Sequence, residues 1–259
     1  GWHALLAAHA PLTKGHQQTP DALLSILYTS GTTGQPKGVM LSARAFAYAG
    51  SQSVKELQIT EQDQYFSYLP LSHAAERFLV EMNALYSGGR VAFVESLETF
   101  ANDLRHVRPT VFFSVPRLWT RFQQGVLEKL PQAKLARLLR IPLLGGLVAR
   151  KIRKGLGLDR ARILVSGAAA IPRALLDWYQ SIGMTICEGY GMTEAFAYGC
   201  FNRPGQVRFG TVGRPMPGNQ LRIAENGEIL LQCPSLMLGY YLDPEKTVET
   251  ITDGWLHTG

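Results

Sequence analysis

Cysteine and histidine are scarce in this sequence, and neither residue type has the spacing of a metal site. The three cysteines, Cys187, Cys200 and Cys233, include no Cys-x-x-Cys pair and cannot all be joined to one another. An odd, dispersed set is typical of a reducing compartment, which predicts a cytoplasmic location. The six histidines also lack metal-ligand spacing, so we do not expect a zinc site built from protein side chains.

Long apolar runs, internal repeats and low-complexity tracts are missing from the sequence as well. No run approaches the roughly 18 apolar residues of a membrane-spanning helix, so we predict that the chain does not cross a bilayer. Only 18% of the residues are charged whereas 46% are hydrophobic, which excludes wholesale disorder. With 259 residues, the chain is long enough for one large domain or two small ones.

The two ends of the sequence are abrupt. It begins without methionine, inside a pattern typical of a helix over residues 1–10, and it stops at Thr258-Gly259. No signal-peptide pattern opens it. We therefore expect a piece of a longer protein, and the oligomeric state is left open.

A stretch rich in glycine and hydroxyl groups, TSGTTGQPKG at residues 29–38, follows an apolar run of strand length at residues 23–28. Its glycines allow backbone N–H groups to close around an anion, and its hydroxyls and one cation can bind phosphate oxygens. Ser42 can cap a helix that begins near Ala43. Strand, loop and helix in this order are typical of a phosphate site. The predicted phosphate-binding residues are Thr29, Ser30, Gly31, Thr32, Thr33, Gly34 and Lys37.

This stretch is not a Walker A loop. Lys37 is followed by Gly38, and no hydroxyl stands beside the lysine to bind magnesium. A flexible turn with a single lysine is the alternative interpretation of these ten residues taken alone. The choice depends on the rest of the chain.

Two further motifs follow predicted strands. EGYGMTE, at residues 188–194, combines an aromatic ring, a hydroxyl and two carboxylates in one predicted loop. An ATP site needs such groups, because the base requires a flat apolar face, phosphate requires donors, and magnesium requires a hard oxygen ligand. SGAAA, at residues 166–170, precedes a proline that can begin a helix. Each motif taken alone is also compatible with an ordinary packed loop.

The first two motifs together are similar to the signature of the adenylate-forming superfamily, which includes acyl-CoA synthetases, peptide-synthetase adenylation domains and luciferases. The segments at residues 227–247 and 253–259 resemble later motifs of that superfamily in order and spacing. The resemblance covers residues 24–259. It implies an ATP-dependent ligase that joins a carboxylate to AMP and then transfers the acyl group to a thiol, here that of coenzyme A.

The resemblance also implies roles for individual residues. Tyr190 would stack on adenine, Thr193 would donate to the α-phosphate, and Glu194 would bind Mg²⁺. Lys37 would reduce the repulsion between carboxylate and phosphate. The other residues that the resemblance places at the nucleotide are Gly167, Ala168, Ala169, Glu188, Gly189 and Gly191. The implied cofactors are ATP and Mg²⁺, with coenzyme A as co-substrate.

Residues 68–78 and 115–122 are similar to the same regions of long-chain fatty acyl-CoA synthetases, which implies a fatty acid as substrate. His73 would then lie near the carboxylate and pyrophosphate, Gly191 would contact the substrate, and Trp119 would border the entrance of an acyl tunnel. Each has a plainer alternative, since a lone histidine is often a satisfied loop residue and a tryptophan among leucines is often helix core.

Three points qualify this resemblance. The catalytic lysine of the family lies in a C-terminal lid domain that this chain does not contain, so full turnover by the chain alone is not expected. A ligase that passes another acyl group to a carrier-protein thiol is an alternative. A nucleotide- or lipid-binding relative without catalysis is another.

Strand and helix patterns alternate through most of the chain. Strands are predicted at residues 65–70, 90–94, 110–115, 162–165 and 184–187, and helices at residues 74–86, 97–106 and 172–181. This alternation predicts an α/β fold with a doubly wound, largely parallel sheet that has helices on both faces. Ligands of such sheets bind beyond the carboxyl ends of the strands, where we expect the three motifs to gather.

The pattern changes near residue 205, where turn residues become frequent. Asn226-Gly227 is a hairpin signal between two short strand patterns. We predict a nucleotide-binding subdomain over residues 1–204 and the start of a small antiparallel, barrel-like β subdomain over residues 205–259.

Positive charge is concentrated at residues 129–162, which carry ten basic residues and one acid, Asp159. This excess is larger than the net charge of the whole chain, +6. Leucines interleave with the charges, which favours peripheral contact with the anionic inner face of a membrane. A helical hairpin with a solvated basic face is an equally open alternative. Nucleic acid is not expected as a partner, because no aromatic interleaving accompanies the charge.

Overall fold

The computed structural model describes residues 1–11, 14–15, 17–30 and 35–259. Gly31, Thr32, Thr33 and Gly34 of the predicted phosphate loop lie outside the described residues. Among the described residues, no helix combines the length and hydropathy that a bilayer crossing needs.

The strands of the described residues form three sheets. In chain order they are β1 (Leu23–Ser30), β2 (Pro36–Ser42), β3 (Gln64–Ser67), β4 (Arg90–Phe93), β5 (Val111–Ser114), β6 (Ile163–Ser166), β7 (Ile186–Tyr190), β8 (Cys200–Phe201), β9 (Arg214–Pro215), β10 (Gln220–Ile223), β11 (Ile229–Gln232), β12 (Gly239–Tyr240), β13 (Ile251–Thr252) and β14 (Trp255–His257).

The helices lie mainly between strands of the largest sheet. They are α1 (Trp2–Ala8), α2 (Ala43–Glu56), α3 (Ala74–Glu76), α4 (Asn83–Ser87), α5 (Phe100–Val107), α6 (Pro116–Lys129), α7 (Gln132–Leu139), α8 (Leu144–Leu156), α9 (Arg173–Ser181) and α10 (Pro244–Thr250). A π-helical segment, Arg77–Met82, joins α3 to α4, and a 3₁₀ turn covers Thr193–Ala195.

The largest sheet has seven strands in the order β4-β3-β5-β6-β7-β8-β9. The pairs from β4 to β7 are parallel, and the last two pairs are antiparallel. Every residue of β5 and β6 is buried, as expected when helices cover both faces of a parallel sheet. The predicted doubly wound α/β fold is confirmed.

The two faces of this sheet belong to different hydrophobic clusters. Phe113 and Val165 pack with residues of α2 and of the helical segment from α3 to α4. Phe112 and Leu164, one position along each strand, pack with residues of α5, α6, α8 and α9. Successive side chains of a strand point to opposite faces, so the two layers are separated by the sheet itself.

The predicted order of strand, loop and helix at the phosphate stretch is wrong. β2 follows the loop and pairs antiparallel with β1, so that Thr29 lies opposite Lys37. β1 and β2 are therefore an antiparallel pair, and β12 extends it by pairing with β2. Val39 and Leu41 are fully buried, which explains why this segment forms a strand. The predicted cap is confirmed, because Ser42 Oγ accepts a hydrogen bond of 3.2 Å from Ala45 N.

Four strands of the C-terminal part build an antiparallel sheet in the order β10-β11-β14-β13. The Asn226-Gly227 turn joins β10 to β11, and Gly227 has a φ of 88°, which favours glycine. The predicted antiparallel region is confirmed. The proposed division into residues 1–204 and 205–259 stays a prediction. β9, which lies after residue 205, completes the large sheet, and β10 starts the small one.

An ion pair between the buried Asp63 and the partly exposed Arg162 joins the amino ends of the parallel strands. Asp63 is 3% exposed, and its carboxylate accepts hydrogen bonds from Arg162 Nε (2.8 Å), Thr110 Oγ1 (2.7 Å) and Thr60 N (2.9 Å). Burial alone would raise the pKa of Asp63, but the hydrogen bonds from Arg162, Thr110 and Thr60 outweigh it and lower the pKa below its ordinary value.

Replacement of this carboxylate is expected to make the fold less stable and less sensitive to acid. A carboxyl group with a lowered pKa stabilises the fold above its unfolded pKa of about 4, and this stability is lost as pH falls through the folded pKa. Asp63→Asn should cost about 1–3 kcal/mol at pH 7, because hydrogen bonds to a charged group are lost while Arg162 stays partly exposed, and its urea midpoint should change less than that of the parent below pH 4. Asp21→Asn is the matched control, because the Asp21–Arg44 pair is exposed. Equal acid sensitivity of the Asp63 variant and the parent would contradict the assignment.

Candidate functional site

Two of the predicted motifs meet at Tyr240 of β12. The Lys37 ammonium lies 5.4 Å from the centroid of the Tyr240 ring. The Tyr240 hydroxyl donates a hydrogen bond of 2.8 Å to Glu194 Oε1. A cation over an aromatic ring is attracted by the negative face of that ring. Lys37 and Glu194 are thus brought to the same side of the molecule by one residue that contacts both.

Backbone hydrogen bonds hold this arrangement in place. Met237 N donates to Glu194 O at 2.7 Å, and Tyr241 N donates to Gly38 O at 2.7 Å. The segment that carries Tyr240 is therefore fastened on one side to the 3₁₀ turn and on the other to β2. Main-chain pairing, rather than a free loop, positions Lys37, Tyr240 and Glu194.

Sequence reasoning missed Tyr240 as a site residue. It lies in a segment that the resemblance identified only as a structural motif, and no local pattern distinguishes it from the neighbouring Tyr241. Tyr240 is 5% exposed. Burial raises the pKa of its hydroxyl, and the Glu194 carboxylate raises the pKa further, so the phenol stays protonated and able to donate.

Glu194 is the only carboxylate of the predicted metal site, and it is 8% exposed. A buried carboxylate needs a partner, and Tyr240 supplies one for Oε1 only. Among the described residues, no group of three His, Cys, Asp or Glu side chains could hold a metal ion. Magnesium is commonly bound by one or two carboxylates together with phosphate oxygens and waters, and Glu194 fits that pattern.

A largely apolar cavity brings His73 together with the other two motifs. Its lining includes Ala168 of the SGAAA turn and Gly189, Tyr190, Gly191 and Thr193 of the EGYGMTE motif. The rest of the wall is mostly apolar and includes Phe78, Leu79, Phe113, Val165 and Met216. An apolar wall beside polar motif residues suits a ligand with an apolar body and a polar end.

His73 lies at the rim of this cavity as the N-cap of α3. Its Nδ1 accepts a hydrogen bond of 3.2 Å from Ala75 N, which leaves the ring proton on Nε2 in the neutral form. Partial desolvation lowers the pKa of His73 because it disfavours the imidazolium. The neutral ring can then donate one hydrogen bond from Nε2.

A second cleft lies on the other side of Tyr190. Ala168, Gly189, Tyr190 and Gly191 line both spaces, and the second cleft adds Ser166, Ala169, Ala170, Ile171, Glu188 and residues 210–213. A Cβ at Gly167 would meet the Phe113 ring at 3.3 Å and Gly189 O at 3.4 Å. Gly167 therefore allows the turn to pack directly against Phe113 and Gly189.

Glu188 and Gly191 have strict local requirements. Glu188 is 8% exposed, burial raises the pKa of its carboxyl, and its Oε2 has no hydrogen-bond partner among the described residues. A Cβ at Gly191 would lie 2.5 Å from Ala197 O, so only glycine fits there without a shift of the backbone. The expected loop over residues 188–194 is partly wrong, because residues 188–190 belong to β7 and the turn begins at Gly191.

The structure locates only part of the predicted phosphate loop. Thr29 and Ser30 are the last residues of β1, and Lys37 faces Thr29 across the hairpin. Gly31, Thr32, Thr33 and Gly34, which were predicted to contact phosphate, lie outside the described residues. Their predicted role stays a prediction.

Trp119 does not line either space. Its side chain is fully buried in α6, where it packs edge to face against Phe112 at 5.5 Å and Tyr179 at 5.2 Å. Both neighbours belong to the cluster on the face of the sheet opposite to Phe113. The sequence predicted that Trp119 borders an acyl tunnel. In the structure it has a core position instead, because the aromatic cluster encloses its ring.

The basic segment forms two helices, α7 and α8, connected by an exposed turn. Leu135 and Ala149 face the interior, whereas Leu143 and Leu147 are 90% and 62% exposed. The backbone of residues 129–162 therefore matches the alternative prediction, a helical hairpin packed on the domain. Contact of its outer face with a membrane stays a prediction.

The family profile and the most similar relatives of this chain agree on one protein family. The sequence profile of the family described as "AMP-binding enzyme" matches residues 4–241. The chain is 36% identical over 274 residues to fadD11 of Mycobacterium tuberculosis, provisionally named a fatty-acid–CoA ligase, with 93% of this chain and 47% of that protein covered. It is 34% identical over 275 residues to human long-chain-fatty-acid–CoA ligase 1, with 93% and 39% covered. The chain spans about half the length of the curated relatives it matches, or less.

Solved structures share the fold. The inhibitor-bound N-terminal domain of FACL13 from Mycobacterium tuberculosis superposes with a TM-score of 0.74 at 21% identity, covering 99% of this chain and 61% of that one. A benzoate CoA ligase from Burkholderia xenovorans superposes with a TM-score of 0.75 at 25% identity, covering 100% and 50%.

Proposed function

The chain belongs to the AMP-binding enzyme family, and on this premise we propose that its protein uses ATP to convert a fatty acid carboxylate into an acyl-adenylate and then into a thioester of coenzyme A. The observation that carries the proposal is the contact of Tyr240 with both Lys37 and Glu194. It brings a phosphate-binding cation and a metal-binding carboxylate to one site, as a magnesium nucleotide requires.

The first step forms a bond between a carboxylate oxygen and the α-phosphorus of ATP and breaks the bond to pyrophosphate. Attack of one anion on another is slow unless charge is offset and the groups are aligned. In this proposal Lys37 offsets phosphate charge, and the Thr193 hydroxyl donates to the α-phosphate. Magnesium held by Glu194 and the phosphates would neutralise further charge.

The two spaces beside Tyr190 suit the two substrates. The cleft between the SGAAA turn and Tyr190 has the flat apolar face that an adenine base needs, and the Glu188 carboxyl can accept from an amino group of the base. The apolar cavity that shares this wall has a volume of about 90 Å³, which suits the carboxyl end of the acid, with the His73 Nε2 proton available to the carboxylate or to pyrophosphate. Gly191 lies where the two spaces join.

The second step is attack of a thiol sulfur on the acyl carbonyl, which releases AMP. The fatty-acid–CoA ligases among the relatives support coenzyme A as the acceptor and a fatty acid as the acid. The benzoate CoA ligase at 25% identity supports an aryl acid as the second candidate.

A panel of acids and thiols tests the proposal. With the full-length protein, ATP and magnesium, we expect ATP–pyrophosphate exchange to be fastest with fatty acids of long chain, and thioester to form with coenzyme A rather than with a carrier-protein thiol. Faster exchange with benzoate would favour the aryl acid. The absence of exchange with every acid, despite retained ATP binding, would point to a non-catalytic relative.

A further inference from the structure

A large cavity on the opposite face of the sheet from His73 plays no part in the proposed reaction. It lies between α5, α6, α7 and α8 and has a volume of about 570 Å³, within the range of small-molecule sites. Its wall is mainly apolar, with Leu104, Phe122, Val126, Leu138, Val148 and Ile152 as the main contributors. The sheet lies between this cavity, called the apolar cavity from here on, and the cavity beside His73. Phe112 points to the side of the apolar cavity, whereas Phe113 points to the side of His73.

The rim of the apolar cavity is cationic. Arg105, Arg121, Lys129 and Lys151 are among its lining residues, and no Asp or Glu is. A long apolar ligand with a negative end would match this distribution, since its body would contact the aliphatic wall and its charge would face the rim.

A smaller basin lies next to the cationic rim of the apolar cavity. It is lined by Arg108, Leu147, Arg150, Lys151, Lys154 and Asp159. Arg108 is paired with Asp159 at 2.6 Å, so these two charges offset one another. Arg150, Lys151 and Lys154 have no ion pair among the described residues and give the basin a positive excess. Lys151 lines both the basin and the apolar cavity, so the two spaces are neighbours that share this side chain.

We propose that the apolar cavity and the basin together bind one anionic glycerophospholipid, with its phosphate in the basin and one acyl chain in the cavity. Arg and Lys side chains are the usual partners of phosphate oxygens. Leu147, which lines the basin, and Leu143, four residues before it, are both exposed, as expected for a surface that rests on a bilayer. A free phosphate would leave the apolar cavity unused, which is why a lipid is the better match.

The charge requirement is tested with two triple variants of equal net charge. Arg150→Ala/Lys151→Ala/Lys154→Ala removes the basin. Lys134→Ala/Arg137→Ala/Arg140→Ala removes three cations of the same segment that line neither space. Binding of the full chain to monomeric lysophosphatidylglycerol, measured by titration calorimetry without ATP or fatty acid, should weaken about 100-fold in the basin variant and only slightly in the other.

The chain requirement is tested at Gly155 of α8, which lines the apolar cavity. A Cβ there would have open space around it. Gly155→Phe should occupy the cavity and weaken lipid binding at least 10-fold, whereas Gly155→Ala should leave it unchanged. In vesicle flotation, the parent and the two Gly155 variants should bind phosphatidylglycerol vesicles in the same order of strength. All of them should bind phosphatidylcholine vesicles only a little.

Each outcome is decisive for the lipid site. Equal loss in both triple variants would show diffuse attraction and overturn the proposal. Equal affinity for inorganic phosphate would show a headgroup site only, and displacement of the lipid by an oligonucleotide would show a nucleic-acid surface; both would overturn it. Since no reaction is measured, failure of the proposed adenylation would not affect these results.

Discussion

Glu194→Gln is expected to slow ATP–pyrophosphate exchange by the full-length protein about 100- to 1,000-fold, the usual effect of removing one group that stabilises developing charge. Glutamine keeps the size of the side chain and can still accept the Tyr240 hydrogen bond, but it removes the negative charge that would hold magnesium. Lys37→Ala should slow the same reaction by about 100-fold, because phosphate charge would no longer be offset at that position. Exchange is measured with a saturating fatty acid.

Two controls separate charge from packing. Glu245→Gln changes an exposed carboxylate of α10 in the same way and should leave the exchange rate unchanged. Tyr240→Phe keeps the ring near Lys37 and removes only the hydrogen bond to Glu194, so it should have an intermediate effect of about 10-fold. Unchanged exchange in both Glu194→Gln and Lys37→Ala, with the variants folded, would refute the proposed site.

Trp119→Ala is expected to lower the free energy of unfolding by about 3–5 kcal/mol, because it leaves a large cavity among Phe112, Phe122 and Tyr179. Trp119→Phe should cost less, about 1–3 kcal/mol. The indole Nε1 has no hydrogen-bond partner among the described residues, so phenylalanine loses volume but no hydrogen bond. Urea unfolding of the three forms measures the difference.

The same variants distinguish a core residue from a tunnel residue. Trp255→Ala is the control, since the Trp255 ring is only half-buried and contacts the Arg222 guanidinium at 4.2 Å. It should destabilise the fold much less than Trp119→Ala does. If Trp119→Ala instead left stability nearly unchanged and altered the preferred length of the fatty acid, the tunnel position predicted from the sequence would be restored.

The fold was largely predictable because its central strands are continuous apolar runs. Residues 110–115 and 162–165 were recognisable as strands covered on both faces, and β5 and β6 have every residue buried. Residues 36–42 were not recognisable. Their partners, β1 and β12, lie before the loop and far along the chain, and a strand is stabilised by partners that local sequence does not reveal.

The types of residue in the candidate site were predictable from the sequence. The contacts that bring these residues together were not. The glycines, the hydroxyls and Lys37 were singled out because phosphate requires particular donors at close spacing, and Glu194 was singled out because its motif resembles that of the adenylate-forming superfamily. Tyr240 was not found, because an aromatic residue in a short strand has no local feature that marks it as a contact between two motifs. The position of Trp119 was also mistaken, since helical spacing shows that a residue is apolar but not which cavity or cluster it faces.

By itself, the sequence determined the alternating α/β architecture, the antiparallel hairpin at Asn226-Gly227 and the chemical groups available for a nucleotide. These follow from local periodicity, turn chemistry and residue type, which act over a few neighbouring positions. Only the tertiary structure decided that Lys37 and Glu194 meet at Tyr240, that Trp119 belongs to the core, and that a cationic basin adjoins an apolar cavity between α5 and α8. These depend on contacts between segments distant in the chain, which form only when strand pairing and burial of the two hydrophobic clusters are satisfied together.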